Sequence, residues 1–163
     1  MVLRRIKNLS KKRRVKTRNK SGKKHNKAVI GVKEIDANGV LTIPEGTTEI
    51  KDKQYQNNYG ITSIIFPASL KSIGNHAFEG CEALTSVIIP DGVTSIGEFA
   101  FAYCTSLKEL GLPAKLTNVG IFAFVYCITL TSVVIPKCVT SIGNSAFESC
   151  VALTSVTISD SVT

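Results

Sequence analysis

Apolar residues recur along this chain with a long period laid over a short one. From Leu41 onward, phrases of the form Leu-x-x-Val-x-Ile, such as Leu84, Val87 and Ile89, return every 23 residues. Inside a phrase, alternating apolar and polar positions match a strand buried on one face. Strands are therefore expected over residues 41–43, 61–66, 84–89, 107–112, 130–135 and 153–158. All but the last are followed by a proline of the series Pro44, Pro67, Pro90, Pro113 and Pro136. Proline has no amide hydrogen to continue a ladder and ends the strand. A second short apolar pair follows, Val93 and Ile96 in one repeat. Gly97 is then expected to turn the chain by taking a positive φ. A short helical turn over residues 98–104 should point Ala100, Phe101 and Cys104 inward.

The same interval separates Cys81, Cys104, Cys127 and Cys150, and also Phe78, Phe101, Phe124 and Phe147. A fixed period of this size signals one supersecondary unit stacked on itself, because a single unit cannot bury its own apolar side. The expected fold class is a repeat solenoid of 23-residue turns, strand-rich with short helical turns. Residues 44–163 make about five turns, the last incomplete. The phenylalanines should form a ladder rising about 4.8 Å per step. Gln54-Tyr55 stands where later turns have Ala-Phe, and Asn58 where they have Cys, so the first turn is expected to fray first. Residues 28–43, with Asn38-Gly39 suited to a tight turn, read as a hairpin capping the open end of the stack.

Charge divides the chain. Residues 1–27 hold 13 of the 20 Lys and Arg and no acid, whereas residues 28–163 hold 7 basic against 12 acidic residues, a net of −5. The basic segment is too polar to offset its ordering entropy and is expected to be disordered alone. Beside a solubilising role, three readings stand. Lys11, Lys12, Arg13, Arg14 and Lys16 resemble a nuclear-import cluster. The run could neutralise RNA or DNA phosphates, without sequence specificity, since no aromatic residue is interleaved to stack on bases. Anionic lipid is the third candidate. Its start (Val2, Leu3, Ile6, Leu9) also fits an organellar presequence, although the lysine density argues against one. The chain shows no secretory signal pattern and no run of 18 apolar residues. The tail alone favours a cytoplasmic or nuclear location.

Catalytic chemistry finds no constellation. His25 lies in the basic segment and His76 at a variable turn position, and no nucleophile–base pair, paired carboxylates or phosphate loop can be assembled around them. No cofactor is implied. The four register cysteines form a row, whereas zinc ligands must converge on one point. They read as buried, reduced thiols, although distance alone leaves a disulfide between neighbours open. Five cysteines with Cys138 out of register do not make a disulfide framework.

The repeat phrase L-T-S-V-x-I-P-x-x-V-T-S-I-G-x-x-A-F-x-x-C runs from Leu84 to Cys104 and from Leu130 to Cys150, with a looser copy between. It resembles the BspA-like, or Treponema-type, leucine-rich repeat family over about residues 41–163. The resemblance implies a right-handed curved stack with a parallel sheet on its concave face. It also implies a non-catalytic adhesion or protein-interaction module, in many members at a cell surface. The chain departs from surface members in its polybasic start. It also stops within a repeat, which suggests a piece of a longer array or an end covered by another molecule, self-association through that end included.

Two surfaces are candidates for a protein partner. On the concave sheet, outward positions form one row of Ser63, Ser86, Glu109, Ser132 and Ser155, and a second of Ile65, Ile88, Gly111, Val134 and Thr157. β-Propensity alone would also place branched residues there. On the side of the helical turns, Phe99 and Phe122 share one variable position, and Tyr103 and Tyr126 another. They make either an aromatic binding patch or a shield over the core. The leading reading is a protein-interaction module. The alternative is a nucleic-acid-associated protein whose tail binds phosphate while the solenoid binds protein.

Overall fold

The computed structural model describes residues 35–158. The basic segment, residues 28–34 of the expected capping hairpin and residues 159–163 lie outside them. Eleven short strands follow one another: β1 (Val40–Thr42), β2 (Glu49–Ile50), β3 (Ser63–Ile65), β4 (Ser72–Ile73), β5 (Ser86–Ile88), β6 (Ser95–Ile96), β7 (Glu109–Gly111), β8 (Asn118–Val119), β9 (Ser132–Ile135), β10 (Ser141–Ile142) and β11 (Ser155–Ile158). The odd strands are the expected ones. All pairing is parallel and advances by one repeat, as in Ser63 opposite Ser86 and Ser86 opposite Glu109.

The even strands form a second parallel sheet, in the order β10-β8-β6-β4-β2. Each consists of two residues ending on a buried or half-buried apolar side chain, such as Ile73, Ile96 and Val119. The sequence showed their apolar pair and not their pairing, because two residues carry no readable period. Between the sheets the proline opens a tight turn, the Leu70, Val93 and Leu116 amides donating to the Pro67, Pro90 and Pro113 carbonyls at 3.0–3.2 Å. The first sheet runs unbroken through β1-β3-β5-β7, then resumes as the pair β9-β11. Its interruption falls beside Gly111, where the residue that elsewhere stiffens the strand is missing.

The expected helical turn is absent: no helix occurs among the described residues. Residues 98–104 instead alternate their hydrogen bonds. The Phe99, Phe101 and Tyr103 amides donate to the Ile121, Ala123 and Val125 carbonyls of the next turn at 2.8–3.0 Å. The Ala102 and Cys104 amides close short turns onto the Phe99 and Phe101 carbonyls. Stacking thus satisfies the donors that a helix would have used internally. This segment is a third hydrogen-bonded side of the solenoid.

Positive φ is also placed differently. Gly97 does not adopt it; the glycine is needed because a Cβ there would lie 2.6 Å from the Gly74 carbonyl carbon of the preceding turn. Left-handed backbone occurs at two later positions per turn. One carries Lys53, His76, Phe99, Phe122 and Ser145; the other carries Asn57, Gly80, Tyr103, Tyr126 and Ser149.

The core is a set of columns along the stacking axis. Rings of Phe78, Phe101 and Phe124 are fully buried and stack at 5.2 and 5.5 Å between centroids, slightly above the strand spacing. Tyr55 continues the stack onto Phe78 at 5.2 Å, and Phe147 onto Phe124 at 5.2 Å. Beside them, the Cys81, Cys104, Cys127 and Cys150 thiols each donate to a carbonyl of the preceding turn at 3.2–3.4 Å. At the open end, Asp36 holds the Asn38-Gly39 turn by accepting from the Asn38 and Val40 amides. No helix of the described residues is long and apolar enough to cross a membrane.

Candidate protein-binding faces

The outer face of the first sheet is set by strand alternation: Val87 points into the core while Ser86 and Ile88 point out. The register aligns Ser63, Ser86 and Glu109 in one row and Ser132 with Ser155 in its continuation. Beside it Ile65, Ile88 and Val134 are 55%, 65% and 63% exposed. Parallel sheets are ordinarily covered on both faces. Here a covered face looks onto the phenylalanine column and the other is uncovered, with three large branched side chains in line. Gly111 makes a gap in that line, partly overhung by Ile88, whose Cδ1 would meet a Cβ at 3.0 Å.

The third side carries the aromatic residues. His76, Phe99 and Phe122 stack in sequence at 5.0 Å per step, and Tyr103 stacks on Tyr126 at 5.2 Å. Both tyrosines are exposed and both phenylalanines half-buried. All four sit at left-handed positions, with φ of 53–60°. Such a conformation costs an L-residue roughly 1–2 kcal/mol, and glycine or asparagine would relieve it. A stacked pair returns about 0.5–1.5 kcal/mol. The stacks therefore offset part of the strain.

Neither face assembles a catalytic or metal centre. His76 Nδ1 lies 2.6 Å from Glu79 Oε2, which also accepts from Gln56 Nε2 at 2.6 Å, and no nucleophile joins them. No group of three or more metal-binding side chains occurs among the described residues. All five cysteines are free. Burial pushes the Cys81 thiol up to about 11 and Cys104 well above its ordinary value; the Cys127 thiol is raised by its contact with Cys150 and then by burial. These three thiols stay protonated, which disfavours nucleophilic attack by them, whereas the contact with Cys127 lowers the Cys150 thiol.

This stack of 23-residue turns corresponds to a known repeat. The BspA type leucine rich repeat region matches residues 42–163 in six copies. The chain belongs to that family. Solved structures of similar fold include a leucine-rich repeat protein of T. pallidum, 32% identical with a TM-score of 0.71, over 73% of this chain and 58% of that one. Another, from Bacteroides ovatus, is 34% identical with a TM-score of 0.72, over 76% of this chain and 34% of that one. The pneumococcal vaccine antigen PcpA is 27% identical with a TM-score of 0.63, over 72% and 29% respectively. The chain thus spans between 29% and 58% of the length of these structures. No curated protein matches it.

As a BspA-type repeat protein, the chain displays both candidate surfaces named from its sequence. Ser63, Ile65, Ser86, Ile88 and Glu109 share one continuous sheet; Ser132, Val134 and Ser155 lie on its resumed portion. Phe99, Tyr103, Phe122 and Tyr126 come together in two stacks. Lys11, Lys12, Arg13, Arg14 and Lys16 lie outside the described residues. Sequence reading overlooked Ile121, Ile128 and Val151, which are 37%, 38% and 80% exposed. Aligning the repeats in columns exposes them: Ile121 replaces Asn75 and Glu98, and Ile128 replaces Glu82.

Proposed function

We propose that this chain is a non-catalytic protein-interaction module which grips a partner on the outer face of its first sheet. Members of the BspA-type family generally serve in protein interaction or adhesion. The observation that carries the reading is the line of Ile65, Ile88 and Val134 on the uncovered face of the parallel sheet. Flanking serines and Glu109 supply hydrogen-bonding groups around that line. An apolar centre with a polar rim is the usual anatomy of a protein interface.

The test is Ile88→Lys combined with Val134→Lys. Both side chains point to solvent, so stability should stay within about 0.5 kcal/mol per site. A partner captured by the natural chain should bind the variant at least tenfold more weakly in titration with the purified pair. Equal binding would refute this face as the binding surface.

The 13 positive charges of residues 1–27 favour a second reading, in which the same module is attached to nucleic acid. Binding of RNA or DNA that requires residues 1–27 and falls about 10³–10⁵-fold between 50 and 200 mM salt would correspond to 6–10 phosphate contacts. Absence of binding at low salt would remove that reading.

A further inference from the structure

Beyond its first turn, which carries Lys51 and Lys53, the third side has a charge pattern that the other two lack. Across four successive turns, residues 74–83, 97–106, 120–129 and 143–152 contain Glu79, Glu82, Glu98 and Glu148 and no Lys or Arg. Glu82, Glu98 and Glu148 are exposed. The carboxylates frame an apolar centre: in the column Glu79, Ala102, Val125 and Glu148, the two middle turns carry the tyrosine stack beside them. Phe99, Phe122, Ile121, Ile128 and the largely exposed Val151 widen that centre. A groove of about 490 Å³ runs along its margin, lined by Asn75, Glu98, Ile121 and Asn144 over the backbone of Gly97, Gly120 and Gly143. The chemistry that suits this surface is a cationic segment carrying a few apolar side chains. Lysine and arginine stems would lie along the groove and their charged heads would reach the glutamates.

The chain carries one such segment. Residues 1–27 combine 13 positive charges and no acid with Val2, Leu3, Ile6 and Leu9. We propose that residues 1–27 dock on this acidic, aromatic third side. The tether permits it. Residue 27 is eight positions before Ile35, which packs against the core at the first turn. Crossing three or four turns requires about 15–20 Å at the strand spacing. The eight positions of the link extend to about 26 Å, and the 27 residues beyond it to about 90 Å. A tether of this kind supplies an effective concentration in the millimolar range, so a contact of modest affinity is occupied. Docking sets the third side and any external polyanion in competition for the same cations. It is independent of the first-sheet reading, which concerns another face.

Zero-length carbodiimide cross-linking of the intact chain, read by peptide mass spectrometry, tests it, because it joins only amines and carboxylates in ion-pair contact. Links from lysines 7–27 should fall on Glu79, Glu82, Glu98 and Glu148 at least fivefold more often than on Glu45, Glu49, Asp91 and Glu109, and should drop severalfold in 0.5 M NaCl. Product of single-chain mass places the segment on its own body and supports docking; links found only in product of double mass would overturn it. A variant with Phe99→Ser, Tyr103→Gly, Phe122→Ser and Tyr126→Asn takes residues that these columns already hold in other turns. It should lose at least four-fifths of the links, with its circular dichroism unchanged. Glu82→Gln with Glu98→Gln, two exposed changes, should lower links at Glu79 and Glu148 at least twofold. Links spread evenly over all acids, or links unaffected by both variants, would overturn the proposal.

Discussion

Truncating Phe101 to alanine is the sharpest test of how this solenoid is held together. Phe101 is fully buried and its ring stacks on Phe78 at 5.2 Å and on Phe124 at 5.5 Å. Its removal leaves a cavity in a column whose neighbours are fixed by backbone ladders, because the Phe101 amide bonds the Ala123 carbonyl and receives no freedom to collapse. The expected loss is about 3–5 kcal/mol, the usual range for a buried phenylalanine. That equals a large part of the roughly 5–15 kcal/mol that holds a domain of this size. A stack with nearest-neighbour coupling should also lose cooperativity at the break, because the turns on either side communicate only through this one. Urea unfolding followed by far-ultraviolet circular dichroism measures the loss, and hydrogen exchange locates it at the amides of residues 78, 101 and 124. Phe147→Ala serves as the internal comparison: its ring is half-buried and stacks only on Phe124, so about half the loss is expected. A loss under about 1 kcal/mol at Phe101, or equal losses at both positions, would refute the column as the main source of stability.

Three further outcomes follow from the geometry. Gly120→Ala should cost about 1–3 kcal/mol, read as a lowered Tm, because the new Cβ would lie 2.5 Å from the Gly97 carbonyl and backbone there cannot yield. Tyr126→Asn should change stability by less than about 1 kcal/mol, since relief of a left-handed tyrosine offsets the lost stack with Tyr103. Stability should fall as pH rises above about 9. The Cys81 thiol is raised from 9.0 to about 11 in the folded chain, so unfolding releases a proton there between those values. The contribution is complete below pH 9 and lost through pH 11, amounts to about 2–3 kcal/mol at most, and Cys81→Ala should flatten the decline in chemical denaturation.

The columns of Phe78, Phe101 and Phe124 and of the four cysteines were legible because identical residues at one interval can only superpose when the units stack. The odd strands were legible for the same reason, each carrying an apolar alternation and all but the last closed by proline. The even strands were not, because two residues hold no period; pairing with the next turn makes them strands. The stretch 98–104 shows the limit most clearly. Its Glu-Phe-Ala-Phe-Ala-Tyr-Cys composition suits a helical turn, yet each turn offers its neighbour carbonyls in register, and bonds between turns replace those within. Gly97 was rightly singled out and for the wrong cause: close approach of the preceding turn, and not φ, excludes a side chain there.

Sequence alone determined the period, the solenoid class, the inward residues and the separation of a basic segment from a mildly acidic body. These depend on repetition and composition, which are local properties of the chain. Tertiary structure decided the rest: a second sheet, a third hydrogen-bonded side, the break beside Gly111, and the left-handed seats of Phe99, Tyr103, Phe122 and Tyr126. It also decided that Glu79, Glu82, Glu98 and Glu148 share one side with those rings. Each depends on which atoms of one turn meet the next, and that is fixed only when the turns are stacked.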